Sequence, residues 1–193
     1  TMKKVIKLNE NSVLMMAGSV EIGETVIQEI IKEVKEQSKE GVTEVMDCCR
    51  LKLKSKYHEW FQNYPPIPHP QNPAFVRPSL GIIVGGYDMD KDKKQAEQKI
   101  FSLLSVFDFA PMLHNYGFGL QGVPQYALYL MNRLYTPEMS TEDLKHLLTY
   151  IITETATQDG KLGGPVQIAI IKGGTCKELS QEEVEKIIKK NVS

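Results

Sequence analysis

The sequence predicts an α+β domain in which two packed β-sheets are covered by a layer of helices on each outer side. Three observations lead there. Stretches with strand-like alternation or unbroken apolar character take turns with stretches of helical spacing. The helical stretches arrive in pairs, set between groups of strands, which suits sheets that each need an outer cover for an apolar face. The 193 residues, 41% hydrophobic and 24% charged, supply one sizeable core. Residues 1–193 are therefore expected to form a single domain, with a proline-rich surface loop at about 61–79.

The elements run in order along the chain. Lys3 to Leu8 alternates as a strand, Asn9-Glu10-Asn11 supplies a turn, and Ser12 to Ala17 forms a second strand ended by Gly18. Ser19 is placed to cap a helix whose apolar residues Val20, Val26, Ile27, Ile30, Ile31 and Val34 keep helical spacing. Gly41 breaks that helix, and a second from about Thr43 to Trp60 carries Val45, Met46, Cys49, Leu53 and Tyr57 on one side. Six of the ten prolines then lie between Pro65 and Pro78, a density that favours a stiff, extended surface connection.

Leu80 to Tyr87 is nearly continuous in apolar residues, the mark of a strand buried on both faces. Asp88 to Lys94 is expected to be a charged loop, with Lys99 to Val106 and Ala110 to Tyr116 as the strands of a hairpin. Pro124 suits the first position of a helix reaching Leu134. Ser140 with Asp143 is close to a capping box and opens a helix running to about Thr157. After the loop Asp159 to Gly164 come a strand from Val166 to Lys172, a Gly173-Gly174 turn and a short pairing segment from Cys176 to Leu179. A last helix begins at Ser180, which pairs with Glu183 as a capping box.

Composition removes several functions. A net charge of −1 gives no electrostatic reason to bind nucleic acid or an anionic membrane. No apolar run has the length of a membrane span. Cys48, Cys49 and Cys176 form neither a disulfide framework nor a zinc spacing, which predicts buried thiols in a reducing, cytoplasmic setting. His58, His69, His114 and His146 are scattered without ligand spacing, so no metal is expected. Gly-x-Ser-x-Gly and the phosphate-loop pattern are both missing, and no cofactor is expected.

Lys3-Lys4-Val5-Ile6-Lys7-Leu8 with Met15-Met16-Ala17-Gly18-Ser19-Val20, and Val84-Gly85-Gly86-Tyr87-Asp88, resemble segments of proteasome subunits of the N-terminal-nucleophile hydrolase superfamily. The first pair resembles the second strand pair and first-helix entry, and the last the central strand and turn. Gln125-Tyr126-Ala127, with Leu134-Tyr135-Thr136-Pro137 and Met139-Ser140, resembles the third helix and the segment after it. Asp159, Gly163-Gly164 and Val166 to Ile171 resemble the late loop and strand, and Ser180 to Lys189 the closing helix. The resemblance spans nearly the whole chain in order. It implies a four-layer αββα sandwich of two antiparallel sheets flanked by helix pairs, assembled into stacked rings.

Active members of that family cut peptide bonds with an amino-terminal threonine, whose hydroxyl attacks the scissile carbonyl. By motif position Lys4 matches the lysine that keeps the potential near the nucleophile positive, and Asp159 the aspartate that helps hold the nucleophile end. The matching region starts inside the family pattern, with roughly thirty residues of strand pair lacking a counterpart before Lys3. Thr1 is retained as a third candidate, although it stands three positions before Lys4, where the family places a full hairpin. Gln121-Gly122-Val123 occupies the place of a serine between two glycines, and Ile22 that of an acidic residue.

The expected function is a ring-forming, proteasome-like subunit that is inactive or incomplete as a threonine peptidase. The alternatives are an active peptidase whose front hairpin lies outside this sequence, acting on peptides or unfolded proteins, and a non-catalytic scaffold or docking subunit. Expected partners are further copies or other proteasome-type subunits. An open sheet edge, with Val5 and Leu14 uncovered, is expected to be satisfied by self-association.

Overall fold

The computed structural model describes residues 3–64, 77–90, 95–122, 124–158 and 164–192. Strands β1 (Val5–Lys7), β2 (Ser12–Gly18), β3 (Leu80–Asp90), β4 (Gln95–Leu104) and β5 (Pro111–Leu113) form one antiparallel sheet in sequential order. Strands β6 (Ala169–Lys172) and β7 (Thr175–Glu178) form a separate two-stranded antiparallel sheet. Among the described residues five helices complete the α+β fold: α1 (Val20–Glu36), α2 (Val42–Phe61), α3 (Pro124–Leu134), α4 (Thr141–Gln158) and α5 (Gln181–Val192).

Alternation in the large sheet decides what covers it. Leu14 and Met16 of β2, Leu80, Ile82 and Val84 of β3, and Phe101 and Leu103 of β4 enter one buried cluster. Opposite them α1 supplies Val26, Ile27, Ile30 and Val34, and α2 supplies Val45, Cys49, Leu53 and Tyr57. The helical spacing predicted for both helices is thus the packing stripe itself. The second face of the sheet is also closed at its centre, with Val13, Ile83 and Ser102 buried, as the unbroken apolar run of β3 predicts. A second cluster joins α3 and α4 through Met131, Leu147 and Ile151, and α4 packs on α5.

Local chemistry fixes the element ends. Ser140 and Asp143 cap α4 reciprocally: the Asp143 amide donates to Ser140 Oγ at 3.1 Å and the Ser140 amide to Asp143 Oδ2 at 3.3 Å. Ser180 and Glu183 do the same for α5, at 3.2 and 2.7 Å. Ser19 occupies the capping position of α1, but its side chain makes no capping bond. The start of α2 is closed from outside the helix, by the Asp88 carboxylate, which accepts from the Thr43 amide at 2.9 Å and from the Thr43 hydroxyl.

Several expectations are corrected. Asp88 to Asp90 is not loop: β3 runs on because these residues pair with Gln95 to Glu97, which also starts β4 earlier than Lys99. Residues 91–94 lie outside the described residues. The far end of β4 stops at Leu104, and Ser105–Phe107 forms a 3₁₀ turn, so Val106 is not in a strand. Asp108 and Phe109 then both take positive φ, at 52° and 56°. That conformation is costly for phenylalanine, and it persists because Phe109 is fully buried edge-on against Tyr57, with ring centroids 5.0 Å apart.

Strands β5 and β6 are shorter than expected, three and four residues. Leu14 is not uncovered, because α1 and α2 bury it completely. Phe61 closes α2, and the proline-rich stretch at 65–76 lies outside the described residues.

Candidate functional site

The two sheets meet where β1 passes the β6–β7 hairpin, next to Lys4. Gln167, just before β6, points its Oε1 at the outer side of β1 and accepts from the Lys4 and Val5 amides at 2.8 and 3.1 Å. At the other end of the hairpin the β1–β2 turn answers β7. Glu10 Oε2 accepts from the Cys176 amide at 3.0 Å, and Lys7 Nζ donates to the Cys176 carbonyl at 3.2 Å. Lys3 adds an ion pair to Glu178 at 2.7 Å.

Ladder geometry shows what these contacts do. In an antiparallel pair, residues alternate between those bonded to the partner strand and those whose N–H and C=O point outward. Leu179 donates to the Ile168 carbonyl at 2.9 Å, so Ile168, Ile170 and Lys172 bond across to β7. Cys176 therefore presents its amide and carbonyl on the outer edge of β7, where the Glu10–Lys7 pair substitutes for a neighbouring strand. That pairing raises the Lys7 ammonium above its ordinary range, chiefly through the hydrogen bond to Glu10, and lowers the Glu10 carboxyl through the same bond.

The outer edge of β6 has no such guard. Ala169 and Ile171 point their backbone groups outward, and among the described residues the single partner is Tyr87, whose hydroxyl donates to the Ile171 carbonyl at 3.4 Å. Val166, Ile168, Ala169, Ile170 and Ile171 make this an apolar, β-prone edge.

Of the three predicted residues, Thr1 and Asp159 lie outside the described residues. Lys4 is exposed; its amide donates to Gln167, its carbonyl accepts from Met16, and its ammonium meets no partner among the described residues. The lysines that engage the second sheet are Lys3 and Lys7, which sequence spacing did not single out because their partners Glu178 and Cys176 are 175 and 169 positions away. Gln121, the first of the three residues that stand where the resemblance expects a serine between two glycines, lies over the sheet's second face against Gly81. A side-chain carbon on Gly81 would stand 1.9 Å from the Gln121 amide nitrogen, so only glycine admits that contact.

Sequence reading also missed a serine–histidine pair. Ser102 Oγ and His114 Nε2 are 2.6 Å apart, brought together because β4 and β5 pair Ser102 with Met112 and the His114 amide bonds to the Ile100 carbonyl. Ser102 is 3% exposed, so the histidine satisfies a sealed hydroxyl and no substrate carbonyl can reach it. His58 and Lys54 of α2 converge on Asp108, His58 at 2.8 Å; burial opposes ionisation of Asp108, but these two bonds hold its carboxyl below the usual range. No group of three or more His, Cys, Asp or Glu residues among the described residues is placed to hold a metal ion. No helix among them is long and apolar enough to cross a membrane.

No protein-family model matches the chain, and no curated protein matches it.

Proposed function

We propose that this protein is a proteasome-type subunit that acts by assembling with like subunits, as a ring-building and non-peptidolytic component. In the four-layer αββα arrangement of that proposal, β1–β5 are one inner sheet beneath α1 and α2. Strands β6 and β7 belong to the other, with α3 and α4 as the outer pair.

The observation that carries the proposal is the asymmetry of the small sheet. An isolated two-stranded ribbon is marginal in water. Here one edge is answered by Lys7 and Glu10, whereas the apolar β6 edge is left with outward backbone groups. A strand from another chain, added to β6, completes that sheet. The absence of peptidolysis is supported by the solvated ammonium of Lys4, by Gln121-Gly122-Val123, which carries no hydroxyl where the resemblance expects a serine, and by the sealed Ser102.

Electron microscopy of the purified protein together with a fluorogenic peptide assay tests both halves. Closed rings and no peptide turnover are expected. Particles no larger than one chain would remove the assembly half, and turnover lost on Lys4→Ala would remove the other.

A further inference from the structure

A concave groove of about 660 Å³ opens between α3 and the segment after β5. Its walls are Tyr116, Phe118, Leu128, Asn132, Tyr135 and Pro137. The aromatic content is high and well supported: Phe118 packs edge-on to Tyr135 with centroids 5.4 Å apart, while Tyr116 stands 83% exposed. Leu128 of α3 is exposed beside it, at 43%. Among the described residues no group pairs with the Tyr116 hydroxyl or the Asn132 amide. The groove therefore combines exposed ring faces with unused hydrogen-bond donors.

That combination suits one ligand chemistry closely. A polyproline II segment has rigid rings to lay on aromatic faces, and its backbone carbonyls have no internal partners and need external donors. Because proline fixes φ beforehand, little chain entropy is lost on docking. The sequence itself has one proline-rich stretch: Tyr64 to Pro78 contains Pro65, Pro66, Pro68, Pro70, Pro73 and Pro78.

Its two ends are tied at one place, since Arg77 Nε donates to the Tyr64 carbonyl at 2.9 Å and the Pro78 carbonyl accepts from Tyr57. That anchor sits at the end of α2, which packs on α1, β3 and β4. The groove belongs to the other layer. The chain leading into it crosses the second face of the sheet, with Gly119 against Ile100 and Gln121 against Gly81, and α3 packs on α4. We infer that the groove receives the proline-rich segment 64–78 of a second copy of this chain. This contact is separate from the β6 edge and stands or falls independently of it.

The receptor for the test is the full chain carrying Pro65→Ser, Pro66→Ser, Pro68→Ser, Pro70→Ser and Pro73→Ser, which leaves its own groove open. A fluorescein-labelled peptide of residues 64–78 is titrated with it by fluorescence anisotropy, with circular dichroism confirming that each variant is folded. Saturable binding is expected, weakened roughly tenfold by Tyr116→Ala, and by Leu128→Lys to a similar extent. The same peptide with its prolines replaced by serine should bind at least tenfold more weakly. Equal binding of the proline and serine peptides, or no saturable binding by the folded receptor, overturns the inference. So does binding that is indifferent to both groove substitutions. Wild-type chain should compete the peptide off as its concentration rises; failure to compete assigns the segment elsewhere and also overturns it.

Discussion

Asp88 holds three things at once: the first turn of α2 through Thr43, Lys99 on β4 at 3.0 Å, and close approach to Gly41. A side-chain carbon on Gly41 would lie 2.6 Å from Asp88 Oδ1. Gly41→Ala should therefore displace the cap and destabilise the protein by about 1–2 kcal/mol, the range of a lost N-cap, read from denaturant unfolding. Burial of Asp88 opposes its ionisation, but the Thr43 bonds and Lys99 outweigh it and leave its carboxyl below the ordinary range. A depressed carboxyl contributes stability that is complete above its unfolded pKa and is lost as pH falls through the folded one. Wild-type stability should hold at neutral pH and decline below about pH 4, and the deficit of Asp88→Asn should shrink over the same interval. A deficit independent of pH would show that charge plays no part in the cap. The cysteines need only burial: all three are buried, and burial pushes each thiol above its ordinary range.

Among the elements, what was legible in the sequence is what is local. The periodicity of α1 and α2, the capping pairs of α4 and α5, the proline at the start of α3 and the glycine turn between β6 and β7 each draw on residues a few positions apart. What could not be read depends on distant partners. Asp88 looks like loop until its pairing with Glu97 and its cap on Thr43, 45 positions back, are known. The guarding of β7 by Lys7 and Glu10 spans more than 160 positions and has no spacing signal. Leu14 was expected on an open edge because the sequence could not tell which face of β2 meets the helices; its register with Val84 places it under them. The candidate site was legible only in part. Lys4 falls where the sheets meet, but its charged end is in solvent and the side-chain contacts between sheets are made by Gln167, Lys3, Lys7 and Glu10.

For the whole molecule, one cluster of side chains joins the large sheet to α1 and α2, another joins α3 to α4, and the smaller sheet beside β1 is guarded on one edge only. Edges of this kind are ordinarily blunted by charge, by proline or by cover. Here β7 is blunted and β6 is not, and the proposed function takes β6 as the edge where another chain would add on. Substituting Ile171→Pro isolates that role, because Ile171 faces Cys176 in a pair that exchanges no backbone hydrogen bonds, so the β6–β7 ladder survives while an outward N–H is lost. The most direct measurement is sedimentation velocity of the wild type and this variant at matched concentrations. A wild-type species several chains in mass, reduced to smaller species by Ile171→Pro with the fold retained by circular dichroism, is the predicted result. A wild-type monomer at every concentration, or an assembly untouched by the substitution, would contradict strand addition at β6 and the ring-building function with it.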